Sequence, residues 1–248
     1  MKLLTRLVLF LICFVLFNSC KKHDENTPPI TAKLKYLTKQ ISVATSIIGT
    51  TTTITNYNYD DNKRLVAQET GTTVITYAYD NNGNLSLVTY KTNDEIVYTQ
   101  TFTYTDGKVS AAIRRTYQNG VVMTTDTYSF VFSGNNITEI HSDGDNGPQL
   151  STYSYDTNND IVRVIANTRT TLYTYDDKKN RFTNVPPTFK NVLIGSAEIC
   201  SPNNFTSVGD GSTTQIYNYN YDSDGYPTAR YLNAGFQTFT YSYFYTEL

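Results

Sequence analysis

The feature that most constrains this chain is a short aromatic phrase that returns along most of its length. It reads YNYDDNKRL from Tyr57, YAYDNNGNL from Tyr77, FTYTDGKV from Phe102, FVFSGNNI from Phe130, YSYDTNNDI from Tyr153, YTYDDKKNRF from Tyr173 and YNYDSDGYP from Tyr219. A further aromatic run, FTYSYFYTEL, starts at Phe239 and closes the sequence. In each copy two aromatics stand at i and i+2, which places both on one face of a strand. In the second copy, Asp80, Asn81, Asn82 and Gly83 fit a type I turn ending in a left-handed residue, and Leu85 and Leu87 then resume the apolar alternation. The phrase encodes a β-hairpin.

Differences among the copies decide whether its acidic residue is a ligand or a turn former. Lys63 and Asn159 replace the glycine, and Asn visits the left-handed region readily. The third copy shortens to Thr105, Asp106, Gly107, Lys108, and the fourth uses Gly134-Asn135 with no acid at all. Turn chemistry is kept while the carboxylate is not, so the motif is architectural. The other strand ends carry turns of their own, such as Glu69-Thr70-Gly71, Thr92-Asn93-Asp94 and Gln118-Asn119-Gly120. Strands of about 6 to 11 residues follow, roughly sixteen in all, as an all-β, antiparallel up-and-down meander. Twist curls such a sheet into a soluble barrel or a half-closed cocoon.

One stretch, about residues 184–213, lacks the phrase. After Pro186-Pro187, residues Phe189, Val192, Leu193 and Ala197 fall at helical spacing, which predicts a short helical or irregular insertion. It plugs a barrel end or sheet edge, or else it is a binding loop.

Residues 1–20 carry Lys2 and Arg6, then an apolar run from Leu7 to Phe17, then Cys20. This is a secretory signal, too short for a spanning helix. Its ending, FNSC, resembles a bacterial lipobox, although Phe17 stands where Leu is preferred. The resemblance implies cleavage before Cys20 and lipid on that residue, which anchors the protein to a membrane. Residues 21–31 then form a flexible tether, and residues 32–248 a single domain. Lys21 follows the cysteine where an inner-membrane retention signal places Asp, which implies an outer-membrane lipoprotein. The run from Lys22 to Glu25 loosely resembles surface-export signals, so periplasmic and surface-exposed placements both stand. Cys13 leaves with the signal and Cys20 takes lipid, so Cys200 has no disulfide partner and is expected as a small buried hydrophobe.

The hairpin phrases resemble the YD repeats of Rhs-type proteins, whose pattern is YxYDxxGRL; residues 77–88, YAYDNNGNLSLV, lack only its Arg. With the lipobox, the chain also resembles a family of bacterial lipoproteins of unknown function with a porin-like fold. That resemblance implies a curled all-β sheet and supplies no catalytic residues. A transmembrane barrel would need an apolar outward band. Thr51, Thr53, Thr55, Thr213 and Gln215 suggest a polar non-aromatic face instead, and so a water-soluble barrel.

Chemistry-bearing residues are few. Charged residues are 17% and the net charge is -2, which excludes a nucleic-acid partner reliant on a basic surface. His23 lies in the tether; His141 with Asp143 and Asp145 is read as a polar turn rather than a metal cluster. Asp222-Ser223-Asp224-Gly225 is calcium-like but lacks the distal Glu and fills a hairpin slot. Arg114 and Arg115 alternate, so one at most faces inward, and solvated positions are expected for both. Asn136 and Asn204 head glycosylation-type triplets that arise easily by chance in an Asn- and Thr-rich chain. No catalytic residue, metal or cofactor is assigned. The chain has 22 Tyr, 12 Phe and no Trp. Two ladders, Tyr217, Tyr219, Tyr221 and Tyr241, Tyr243, Tyr245, are either core or a stacking surface. These features point to a lipid-anchored envelope or cell-surface binding module for a glycan or protein. A structural protein without a small ligand is the alternative, and an enzyme comes third.

Overall fold

The hairpins join into a ring. The computed structural model describes residues 34–186, 189–190 and 197–248. Its sixteen strands are β1 (Lys35–Ser46), β2 (Gly49–Tyr59), β3 (Leu65–Thr70), β4 (Thr73–Tyr79), β5 (Leu85–Thr92), β6 (Glu95–Thr105), β7 (Lys108–Gln118) and β8 (Val121–Ser133), followed by β9 (Asn136–Asp143), β10 (Gln149–Tyr155), β11 (Ile161–Ala166), β12 (Arg169–Lys179), β13 (Asn203–Gly209), β14 (Thr214–Tyr221), β15 (Pro227–Asn233) and β16 (Gln237–Glu247). Each pairs with its sequence neighbours, and β1 pairs antiparallel with β16, so the barrel is closed rather than a half-open cocoon. The signal, the tether, Cys20 and His23 lie outside the described residues, as do Val192 and Leu193.

The turns follow the sequence chemistry. Gly83, Lys63 and Asn159 hold positive φ at 81°, 63° and 66°, and Asp106 and Gly107 form a primed pair at 52° and 75°. The Asp80 carboxylate accepts the backbone N–H groups of Asn82 and Asn84 at 2.9 and 2.8 Å. Asp156 does the same for Asn158 and Asp160, and Asp222 for Asp224 and Tyr226. Those backbone bonds favour the charged form and hold the Asp80 carboxyl below its ordinary range. The recurring acid is consumed by its own turn.

The second tyrosine of five phrases, with Tyr219 and Tyr245 in the same place on β14 and β16, has a related task. Beside these turns an odd-numbered strand and the even-numbered strand after it diverge, and their ladder stops. The β3–β4 ladder ends at Ala67 and Thr76, leaving the carbonyl of Leu65 without a strand partner. From three positions beyond Thr76, the Tyr79 hydroxyl donates to that carbonyl at 2.8 Å. The same offset recurs for Tyr59 to Leu37, Tyr104 to Leu85, Tyr155 to Ile137, Tyr175 to Ile161, Tyr219 to Phe205 and Tyr245 to Pro227, at 2.7–3.1 Å. A buried carbonyl left bare is costly, and the phenol supplies the missing donor across the gap. Only β8 ends on Phe132, which has no hydroxyl to offer Val109.

The insertion is shorter than expected. Residues Asn203–Gly209, inside the stretch read as irregular, form β13 and pair with β12 and β14. They lack the aromatic phrase, so periodicity does not reveal them. The copy at Tyr173 likewise makes no hairpin: β12 runs on to Lys179 and the chain departs before returning at Asn203. Asp176 keeps a turn-like role across the gap, accepting the Asn204 N–H at 3.2 Å.

A second correction concerns facing. Gln40 pairs with Thr55 and with Tyr243, and Ser42 with Thr53 and with Tyr241, so these threonines share the inward face of the tyrosines. Thr213 and Gln215 have the inward parity of Tyr217 too. The outward face of β2 is Thr50, Thr52, Ile54, Asn56 and Asn58, which is still polar. Arg114 also turns inward: its guanidinium lies 4.3 Å from the Tyr98 ring and its Nε is buried, because it shares a face with Gln100 and Asp126.

Candidate functional site

A closed sheet of sixteen strands encloses a channel unless something fills it. Here the segment between β12 and β13 fills the end next to the hairpin turns. Phe182, Val185, Phe189 and Ala197 are buried against Leu37, Leu65, Leu85 and Ile161 of the wall. Phe182 meets Tyr57 edge-to-face at 5.6 Å, and Phe189 meets Tyr77 at 4.9 Å. Residues Ala197–Cys200 form one helical turn. Asn180 fixes the entry, its amide donating to the carbonyls of Glu198 and Asn203 at 2.7 and 3.2 Å.

The plug carries charge into the barrel. Glu198 pairs with Arg181 at 2.5 Å, and with Arg230 on β15. Strand β15 lies between the two tyrosine ladders, and Arg230 stands opposite Tyr219 on one side and Tyr241 on the other. Its guanidinium lies 4.0 Å from the Tyr241 ring and 5.3 Å from that of Tyr217, while Arg181 faces Phe182 and Tyr243. Burial opposes the charge on each arginine, but Glu198 together with Tyr243 and other nearby tyrosines outweighs it and raises both pKa values; burial likewise opposes the carboxylate, and the two arginines overcome it and hold Glu198 low. One positive charge is left over, and aromatic faces soften its cost. The adjoining cavity, lined by Asn180, Arg181, Glu198, Asn204 and Tyr243, has room for about one water molecule. This centre holds the plug to the wall and has no space for a substrate.

The ladder tyrosines are thus brought together around Arg230, facing inward. Tyr219 and Tyr245 bind backbone carbonyls, Tyr221 binds Asp176 and Tyr243 accepts from Arg181. Tyr217 and Tyr241 remain half-buried. No periodic signal marks Glu198, which lies in the insertion, and Arg181 belongs to the phrase YTYDDKKNRF, whose hairpin does not form. Arg230 is recoverable by counting pairs from the Asp222 turn, provided the bulge at Tyr221 is counted too.

Other sequence candidates disperse. His141 is exposed and pairs with Glu139 at 2.9 Å, away from Asp143 and Asp145. Asp222 and Asp224 bind Lys35 at 2.8 and 2.5 Å, tying the barrel's first strand to a turn near its last. Asn204 is buried and bonded to Lys179 and Asp176, which removes it as a glycan acceptor. Cys200 packs against the core, donates to the Lys190 carbonyl at 2.9 Å, and has its thiol pKa pushed up to about 12 by burial, so it is no nucleophile at neutral pH. Among the described residues no group of three or more His, Cys, Asp or Glu could hold a metal ion.

The opposite end of the barrel differs. Thr55 is buried, but Thr53 and Thr51 further along the inward face are exposed. Around this end the loop tips carry apolar residues: Ile47, Ile48 and Phe236 are 90%, 93% and 90% exposed. The β1–β2 and β15–β16 tips are neighbours, because Ser46 pairs with both Gly49 and Gln237.

Comparison with known proteins agrees with this architecture. Residues 59–94 match the RHS Repeat family model. The fold is similar to that of a porin-like protein from Bacteroides vulgatus ATCC 8482, with a TM-score of 0.55 and 16% identity over 87% of this chain and 100% of that one. It is also similar to a porin-like protein from Bacteroides uniformis ATCC 8492, with a TM-score of 0.54 and 15% identity over 85% of this chain and 98% of that one. No curated protein sequence matches.

Proposed function

We propose that this protein is a lipid-anchored, non-catalytic binding module of the bacterial envelope, which takes a glycan or a protein partner at the barrel end opposite the plug. The observation that carries the reading is the asymmetry of the two ends. One is filled by apolar side chains and an ion-paired Arg–Glu–Arg centre; the other leaves inward-facing positions and apolar loop tips in contact with solvent. The similar folds come from Bacteroides, Gram-negative bacteria, which supports an envelope placement. The lipobox-like FNSC supports an anchor on Cys20 in the outer membrane, facing the periplasm or the exterior. The polar outward face of β2 argues against membrane-crossing by that strand. Of the six ladder tyrosines, Tyr241 is the one we assign to ligand contact, since among the described residues its hydroxyl has no hydrogen-bond partner, whereas that of Tyr217 donates to Gln215 at 2.9 Å and the other four are engaged elsewhere.

The detergent-solubilised full chain on a glycan array, beside an envelope pull-down, tests the reading. Binding to a glycan class or one specific partner is expected, and the absence of both refutes it. The exposed Ile47, Ile48 and Phe236 favour a second reading, a structural partner of another envelope protein. That reading expects no glycan signal, and a pull-down lost in Ile48→Asp and Phe236→Asp. Palmitate labelling of wild type but not of Cys20→Ala tests the anchor.

A further inference from the structure

We propose that a concavity at the unplugged end, between β8, β9 and the turn into β10, is a subsite for one neutral sugar ring; the assignment rests on the glycan-binding form of the reading above. Ser142 pairs with Tyr128 on β8 and with Gln149 on β10, which puts these side chains on the inward face. With Asp126 and Asn146 they line a space of about 130 Å³. Drug-sized sites run to roughly 300–1,000 Å³, so this one admits a single small ring rather than a chain.

Apart from Gln149, whose Oε1 accepts from Asn167 at 3.4 Å, its polar groups are unspent. Seven tyrosines near the hairpin turns donate to carbonyls, and the turn aspartates bind backbone N–H groups. By contrast, among the described residues, the side chains of Asp126, Tyr128, Ser142 and Asn146 have no hydrogen-bond or ion-pair partner. The Tyr128 ring packs on the core and also lines the concavity. Gly144 leaves room for the Asp126 carboxylate: a Cβ there would lie 1.9 Å from Asp126 Oδ1, so Gly144→Ala must push that carboxylate aside. An aromatic wall offers an apolar surface to the C–H face of a sugar. The Asp126 carboxylate accepts bonds from adjacent ring hydroxyls, and Gln149 and Ser142 can both donate and accept. Asp143 is the second carboxylate of the lining, and the site lacks the third carboxylate or imidazole that a tightly held cation needs.

The full chain in detergent micelles would be titrated with D-glucose, D-galactose, D-mannose and N-acetylglucosamine, each followed by saturation-transfer NMR, and with Ca²⁺ alone by calorimetry. At least one sugar is expected to bind, with affinity weakened tenfold or more in both Asp126→Asn and Gly144→Ala at unchanged circular dichroism. Tyr128→Leu serves as a third variant that keeps an apolar wall but removes the ring. Sugar binding indifferent to all three variants overturns the subsite while leaving the glycan reading intact. Array-positive glycans without any monosaccharide binding do the same, as does Ca²⁺ binding that Asp126→Asn abolishes. A blank glycan array removes the glycan reading and this inference with it.

Discussion

Removing a single phenolic oxygen tests the divergence of the strands at the hairpin turns. In Tyr79→Phe the carbonyl of Leu65 loses its donor, and Leu65 is 0% exposed, so water has no direct route to it. The neighbouring Arg64 carbonyl is already taken by the Asp60 N–H on the β2 side, and strand alternation turns that of Leu65 toward β4. An unsatisfied buried acceptor costs about 1–3 kcal/mol. In a chain of this size each kcal/mol moves the melting temperature by about 2–4 °C. The reverse change is available at the one position that lacks the hydroxyl: Phe132→Tyr places a donor at the same offset from Val109, worth about 0.5–1.5 kcal/mol of added stability. Urea unfolding followed by far-UV circular dichroism reads both, with unchanged slopes showing that the unfolded state is unaltered. Tyr79→Phe and Tyr104→Phe both within about 0.5 kcal/mol of wild type would refute the latch, since that is the range of inert surface substitutions.

Three further outcomes follow from the interior. Glu198→Gln leaves Arg181 and Arg230 enclosed without their counter-charge and should cost about 3–5 kcal/mol in the same urea assay. Burial raises the carboxyl of Asp160, the residue after the Asp156 turn, from 3.8 to about 6. The folded state therefore holds this proton more tightly than the unfolded chain does, and its contribution is complete below pH 3.8 and lost as pH rises through 6. Asp160→Asn should consequently gain up to about 3 kcal/mol relative to wild type between pH 4 and pH 8, measured by unfolding at each pH. Cys200 should resist iodoacetamide at pH 7.5 in the folded protein and react on unfolding, read by mass spectrometry.

Much of the barrel was legible because hairpin chemistry is local. Asp80 and Gly83 announce their turn, and aromatics two residues apart announce a shared face. The same periodicity does not say which face looks inward, so the sequence alone suggests an outward face for Thr51 and Thr53 although their pairing places them with the tyrosines. Strand β13 was missed because NNFTSVG pairs through backbone groups and has no phrase of its own. The tyrosines that bind carbonyls are visible in the sequence, but their acceptors appear only once the bulges set the register. Arg181 and Glu198 are joined to Arg230 through tertiary packing alone, and Arg114 reaches the interior by parity rather than by character. The candidate site is thus the least local part of the molecule and the least legible.

Amide hydrogen exchange across the plug tests the central claim, that one end of the barrel is filled by its own chain and binding is left to the other. The N–H groups of Thr183, Val185 and Ser201 donate to Asn180, Phe182 and Ala197 within the segment. They are expected to exchange as slowly as the inner strand amides, and far more slowly than those at the Ile47-Ile48 tip. Exchange as fast as at that tip would mean that the segment does not occupy the barrel, and would contradict the account.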